Sequence, residues 1–263
     1  MVTGSSPVTP TIFMPIRILV SNDDGINSAG LDTLADILKT IGDVFVIAPD
    51  REQSAASHAL NLHRPLRVET ISEKIYSVDG TPTDCVNLAV NGLLKDKKPD
   101  LIVSGINKGE NVGDDITYSG TVSAAMEGTL LGIPSIAISL AGRNDFHFDT
   151  ASYYALLIVK YILRKGLPEG TLLNVNIPNL PKEKIKGINV TRQGKRVYGE
   201  PIVENIDPRG RKYYWIGGNE LSFLDIENSD INAVHNGYVS LTPIKLDLTD
   251  YNFLDRLKHD FKI

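Results

Sequence analysis

One cysteine, Cys85, stands in 263 residues. A lone thiol excludes an intramolecular disulfide, and no Cys/His cluster points to structural zinc. The five histidines show no metal spacing of the His-Glu-x-x-His kind. No apolar run approaches the ~20 residues needed to cross a bilayer, so no membrane partner is expected. Basic blocks are missing too, and the net charge is −5. That argues against a dedicated nucleic-acid binder, which needs a Lys/Arg-rich face. Small anionic substrates stay open, because a bound metal reverses the local field. There is no Gly-x-x-x-x-Gly-Lys-Ser/Thr loop, which excludes a P-loop nucleotide hydrolase. No Gly-x-Gly-x-x-Gly follows the first apolar run, against a dinucleotide-dependent dehydrogenase. Met1 to Phe13 lacks the basic and apolar regions of a signal peptide, so a cytoplasmic location is expected.

What is present reads as α/β. Residues 1–13 are rich in Ser, Thr, Pro and Gly and read as a disordered extension. Met14 as the natural start and a real flexible extension before it are equal readings, with 14–263 as a single domain. Ile16 to Ser21, Val44 to Ala48, Leu101 to Val103, Ser135 to Ser139 and Leu172 to Ile177 are short apolar runs bounded by turn residues, and they predict strands. Between them, Leu31, Leu34, Ala35 and Leu38 follow helical spacing, with Gly42 as the expected stop. Thr81-Pro82-Thr83-Asp84 predicts a helix start: a cap, a proline and a first-turn acid. Strands that are apolar throughout, alternating with helices, indicate a mainly parallel sheet covered on both faces, that is, doubly wound. Leu66 to Ile71 and Ile75 to Val78 suggest a hairpin. From about 188 to 263 the pattern turns β-rich, read as a C-terminal elaboration with a short closing helix near Phe253 to Leu257. Within it, Tyr213-Tyr214-Trp215 is expected to pack on its own sheet, the more usual fate of such a run, with a neighbour subunit as the alternative.

Four motifs carry the chemistry. They are Ser21-Asn22-Asp23-Asp24-Gly25, Ala48-Pro49-Asp50-Arg51-Glu52-Gln53-Ser54, Ser104-Gly105-Ile106-Asn107 and Ser119-Gly120-Thr121. Three of them begin where a predicted strand ends, the place where open parallel sheets bind ligands. Asp23 and Asp24 repel each other in a tight turn unless a cation or donors compensate. A plain turn explains them equally well. Ser54 and Asn107 offer oxygen to a hard cation, although each alone reads as loop polarity. Ser119-Gly120-Thr121 opens a helix and suits a phosphate, while an ordinary N-cap uses the same residues. Gly105 to Gly120 reads as a long glycine-rich ligand loop. Cys85 reads as an inert core thiol. His58 reads as a solvated loop histidine, with proton donation to a leaving group as the alternative. Gly194-Lys195-Arg196 and Arg209-Gly210-Arg211 read as solvated basic clusters, with guidance of an anionic substrate, if the tail folds over the site, as the alternative.

Together with Gly80-Thr81-Pro82-Thr83-Asp84-Cys85-Val86, Glu127-Gly128 and Gly237-Tyr238-Val239-Ser240-Leu241-Thr242-Pro243, these motifs resemble the SurE family of survival-protein nucleotidases. The resemblance runs from about Ile16 to near the C-terminus. It implies a Rossmann-like sheet whose C-terminal part exchanges between subunits of a homodimer or homotetramer. It implies a phosphatase, a 5′-nucleotidase acting on nucleoside 5′-monophosphates, with 3′-monophosphates and short polyphosphate as further substrates. It also implies one divalent cation on Asp23, Asp24, Ser54 and Asn107, with Asn111, Ser119, Gly120 and Thr121 lining the phosphate pocket. Oxygen donors point to Mg²⁺ or Mn²⁺. Asp23 and Asp24 are the catalytic candidates; whether Asp23 or an activated water attacks stays open. A non-catalytic nucleotide-binding sensor and a nucleotide-sugar transferase are the alternatives.

Overall fold

The structure is a computed structural model that describes residues 15–199, 202–216 and 221–261. The expectations for residues 1–13 and for Met14 lie outside them. Thirteen strands and six α-helices follow one another along these residues. They are β1 Arg17–Ser21, α1 Ala29–Leu38, β2 Asp43–Pro49, β3 Val68–Ser72, β4 Ile75–Val78, α2 Pro82–Leu88, β5 Leu101–Lys108, α3 Gly120–Leu130, β6 Ser135–Ala141, α4 Phe148–Lys165, β7 Thr171–Pro178, β8 Ile188–Val190, β9 Arg196–Tyr198, β10 Ile202–Ile206, β11 Lys212–Ile216, β12 Leu221–Phe223, α5 Asp230–His235, β13 Val239–Lys245 and α6 Tyr251–Asp260.

Strand β1 shows why the sheet lies in the middle. Ile18 and Val20 pack with Leu31, Leu34 and Leu38 of α1 and with Ala155 and Ile158 of α4. Leu19, on the opposite face, packs with Cys85 and Val86 of α2 and Ala124 of α3. A strand buried on both faces needs apolar residues at every position, as β1 has. Each such Leu or Ile contributes roughly 1.5–3 kcal/mol by leaving water. Cys85 is a wholly buried free thiol, and burial pushes its pKa well up, in keeping with an inert core role.

The nine-stranded sheet has the order β3-β4-β2-β1-β5-β6-β7-β13-β8. Its central strands, β4, β2, β1, β5, β6 and β7, are all parallel. Numbered along the chain, they run 3-2-1-4-5-6, the doubly wound order with its switch point between β1 and β5. β3 pairs antiparallel with β4, forming the expected hairpin. β13 pairs antiparallel with β7 and parallel with β8. The Rossmann-like α/β reading, with extra C-terminal strands, is borne out.

Local expectations held in part. Thr81 caps α2 in a full capping box with Asp84, and Pro82 sits in its first turn. Helix α1 instead ends at Leu38, and Gly42 is not its left-handed stop. Gly42 is needed because a Cβ there would lie 2.6 Å from the Ile16 carbonyl oxygen. β5 runs on to Lys108, where the sequence suggested a loop from Gly105. Gly105 has φ +138, and a Cβ would lie 2.3 Å from the Ile138 carbonyl oxygen. The pairing of β5 with β6 is irregular between Ser104 and Asn107. A glycine inside a strand can mark a bulge rather than an end, and here it carries Asn107 on the strand itself. The short helix α5 had no clear sequence signal. Tyr213, Tyr214 and Trp215 are exposed on the β10–β11 ribbon, so the expectation that they pack on their own sheet is overturned. A two-stranded ribbon has no second layer to cover them.

One buried carboxylate ties the C-terminal part to the main sheet. Asp230 accepts backbone N–H bonds from Gly113 at 2.9 Å, Gly194 at 2.8 Å and Ile231 at 2.7 Å. Asp230→Ala leaves these N–H groups without an acceptor. We expect a loss of about 3 kcal/mol, several unmet donors sharing roughly 1–3 kcal/mol each, read as a lower urea midpoint. An unchanged midpoint would show that water replaces the carboxylate at no cost.

Candidate functional site

The turns after β1 and β2 are zipped together. Asn22 donates from Nδ2 to the Gly25 carbonyl at 3.0 Å, closing the first turn. The Ile26 N–H reaches the Pro49 carbonyl at 2.8 Å, and the Gln53 N–H reaches that of Asp23, also at 2.8 Å. Gly25 has φ +92, and a Cβ there would meet the Arg51 backbone at 3.0 Å. The close approach places Ser54 on the same side as the acidic pair.

A cavity of about 780 Å³ opens over the C-terminal ends of β1 and β5, lined by Asp23, Asp24, Ser54, Asn107, Asn111 and Ser119 among others. Gly120 and Thr121 are buried behind Asp23 and are not part of this lining. The Thr121 hydroxyl donates to Asp23 Oδ1. A Cβ on Gly120 would lie 2.7 Å from Asp23 Cβ. These two residues therefore hold the aspartate, and they also begin α3, whose first-turn N–H groups lack partners within the helix.

The other side chains are oriented by identifiable bonds. Asn107 Nδ2 donates to the Gly109 carbonyl at 2.9 Å, leaving its oxygen for other partners. The Ser54 hydroxyl donates to Glu52 Oε1 at 2.5 Å. Asp24 Oδ2 accepts the Lys108 N–H at 3.3 Å and the Ser28 hydroxyl at 3.5 Å. The Ser119 hydroxyl accepts the Val122 N–H at 3.1 Å, so the N-cap role and a place on the cavity wall coexist in one residue.

Asn111 rests on a polar network that sequence reasoning missed. Its N–H donates to Asn176 Oδ1 at 2.7 Å, and its Nδ2 to Ser139 Oγ at 2.9 Å. Its carbonyl accepts from Asn174 at 2.8 Å and Asn176 at 3.0 Å. The available signal was Asn174 and Asn176, two amides inside an otherwise apolar strand. A buried amide needs partners, and these two lie on one face of β7, in its middle and its C-terminal half.

Arg196 was also misread. It is buried, not solvated, and it donates to Asp115 Oδ2 and Glu110 Oε1, both at 2.9 Å. Its neighbour Lys195 pairs with Asp114 at 3.0 Å. His58 is likewise no free loop histidine. Its Nε2 lies 2.8 Å from Glu127 Oε2, and Asn87 donates to Glu127 Oε1 at 2.6 Å. Burial raises Glu127, but the bonds from His58 and Asn87 outweigh it and hold the carboxyl below its usual range. The pair anchors the segment after Ser54 to α3, and His58 is not on the cavity wall.

The electrostatics favour a cation. Asp23, Asp24, Glu52, Glu110 and Asp115 line the cavity, with Lys108 as the one cation of its wall among the described residues. Arg196 neutralises only the outer acids, Glu110 and Asp115. Burial pushes the Asp23 carboxyl up to about 6, against the bond from Thr121, and the Asp24 charge adds to the rise. Asp24 is raised as well, chiefly by burial, with Lys108 opposing. An acidic pair with one member buried and the other half-buried, facing an open cavity, is costly until a cation joins it. Among the described residues no group of three or more His, Cys, Asp and Glu is placed to hold a metal. The donors available are two carboxylates, a hydroxyl and an amide oxygen. That set fits a hard, oxygen-preferring divalent ion.

Fold and cavity thus define a doubly wound α/β protein with an acidic ligand site at its switch point, beside a helix N-terminus. Residues 18–200 match the family model described as SurE, Survival protein SurE. A protein named 5′-nucleotidase SurE from Geotalea uraniireducens (strain Rf4) is 56% identical over 244 residues, covering 92% of this chain and 98% of that protein. Another of that name, from Geobacter sulfurreducens, is 54% identical over 244 residues, covering 92% and 93%. The crystal structure of the SurE protein from Aquifex aeolicus superposes with a TM-score of 0.83 at 49% identity, covering 92% of this chain and 98% of that one. The chain belongs to the SurE family.

Proposed function

We propose that this protein is a 5′-nucleotidase that hydrolyses nucleoside 5′-monophosphates to nucleoside and phosphate. The observation that carries the reading is the meeting of cation donors and the α3 N-terminus in one cavity, in a chain whose relatives bear the name 5′-nucleotidase. Asp23, Asp24, Ser54 and Asn107 would hold one divalent ion, Mg²⁺ or Mn²⁺. When bound, that ion supplies Lewis-acid polarisation of a phosphate oxygen and screens its charge.

The chain's own groups do the rest. The Asn111 side chain, pinned by Ser139, and Ser119 at the start of α3 receive the phosphate oxygens, with Gly120 and Thr121 behind them holding Asp23. Thr121 occupies one oxygen of Asp23, which favours a holding role over an attacking one for this carboxylate. His58 stays with Glu127 and donates no proton here. Residues 14–263 act as one domain. The stretch from about 188 onward serves assembly into a homodimer or homotetramer in the cytoplasm, where the exposed β10–β11 ribbon and the α6 aromatics Tyr251 and Phe253 gain cover. No helix among the described residues is long and apolar enough to cross a membrane.

A panel of nucleoside 5′- and 3′-monophosphates, di- and triphosphates and short polyphosphate, each with Mg²⁺ and Mn²⁺, tests the reading. We expect metal-dependent phosphate release, with 5′-monophosphates among the substrates and chelation abolishing it. Tight AMP binding without release would favour the sensor. Transfer to an acceptor sugar without release would favour the transferase.

A further inference from the structure

The cavity is larger than a cation and a phosphate require. Its volume of about 780 Å³ falls within the ~300–1,000 Å³ of pockets that take up whole small-molecule ligands. Its outer wall has a chemistry unlike the acidic floor. Tyr118, Tyr198 and Ile216 reach the wall from three places: the end of the 3-10 turn at Gly113–Thr117, β9 and the end of β11. They are 60%, 41% and 87% exposed and belong to none of the buried clusters.

The two tyrosines are tied to one residue without filling a core, Tyr118 by its main chain and Tyr198 by its side chain. The Tyr118 N–H donates to the Asp115 carbonyl at 3.0 Å, and its own carbonyl accepts the Ser57 N–H at 3.1 Å. The Tyr198 hydroxyl donates to the Asp115 carboxylate, which the buried Arg196 also grips. Asp115 therefore serves both, through its backbone to one tyrosine and its side chain to the other. An aromatic ring held in place before a ligand arrives, as that of Tyr198 is, loses less freedom when the ligand binds.

We propose that Tyr118 and Tyr198 form a base-stacking subsite, which makes the cavity prefer nucleoside monophosphates to phosphate monoesters that lack an aromatic group. The inference rests on the reading of the inner end as a phosphate site. Every nucleobase has a π-face, so stacking selects nucleotides as a class and discriminates little among bases. Purines, with the larger face, gain more. Ile216 extends the apolar wall beside them.

The test compares AMP with glycerol 3-phosphate, a phosphate monoester without a base. In Tyr118→Ala and in Tyr198→Ala, the ratio of kcat/KM for AMP to that for glycerol 3-phosphate should fall by roughly 5- to 150-fold, the equivalent of one lost base stack. The change should lie mainly in KM for AMP. Tyr118→Phe and Tyr198→Phe should keep the ratio, because the ring remains. A ratio unchanged in both alanine variants overturns the subsite, since a merely structural role lowers both substrates alike. Failure of the phosphatase reading looks different: the unaltered protein with Mn²⁺ releases phosphate from neither ester. Calorimetric Kd values for AMP and glycerol 3-phosphate then give the same ratio, and its constancy again overturns the subsite.

Discussion

Asp23→Asn should yield a folded protein that is more stable than its parent without metal and is inactive on AMP. Asparagine fits the same space and can still accept the Thr121 hydroxyl. It removes one of the two charges that would hold the cation, so phosphate release should fall by about 10²–10³-fold or more, as when a transition-state charge contact is lost. The stability change has the opposite sign. Asp23 is 7% exposed, and its carboxyl is raised from 3.8 to about 6 in the fold. A carboxyl that binds its proton more tightly when folded is protonated in both states below about pH 4, and there it exacts no penalty. Its penalty grows as pH rises toward 6 and is complete above that. The gap corresponds to roughly 3 kcal/mol at pH 7. Urea melts in EDTA should show the variant ahead at pH 7 and the two proteins converging at pH 4. A parent and variant of equal stability at pH 7 would show that Asp23 is not strained by burial. An Asp23→Asn protein with full turnover would remove Asp23 from the ion.

Gly120→Ala should impair the same site through geometry alone. The added Cβ would lie 2.7 Å from Asp23 Cβ and 2.9 Å from Asp23 Oδ2. Neither can yield freely, because Asp23 is tied to Thr121 and to the Gln53 N–H. The helix start or the aspartate must shift by several tenths of an ångström. A displacement approaching 1 Å in a positioned group costs about 10²-fold in rate, and overpacking costs roughly 1–3 kcal/mol in stability. Both should appear together, in kcat/KM for AMP and in the urea midpoint. Normal activity with normal stability would show that α3 and the acidic turn move independently.

The two substitutions mark what was legible. The acidic turn, the Ser119 cap and the strand-end positions of the motifs are local signals, carried by residue type and spacing within a few positions. Asn107 was picked out as a donor, yet its place on β5 was hidden, because Gly105 resembles a strand end when only the chain is read. Asn174 and Asn176 were visible as polar residues in an apolar strand, but their partner, Asn111, lies more than 60 positions away. Arg196 looked like part of a solvated basic cluster. Only the fold brings Glu110 and Asp115 to it, and burial then turns a surface cation into a clamp. Tyr198 and Ile216 had no signal at all, since nothing near them in the chain refers to β1 or α3.

Hydrophobic periodicity along the chain determined the doubly wound sheet, because continuous apolar strands have only a two-faced burial open to them. Residue chemistry at the strand ends determined the acidic pair and the helix cap. The tertiary structure alone decided that Thr121 would grip Asp23, that His58 would pair with Glu127, and that two tyrosines would stand at the cavity mouth. Those contacts join segments tens of residues apart. Their partners are chosen by how the strands order themselves across the sheet, which no local pattern encodes.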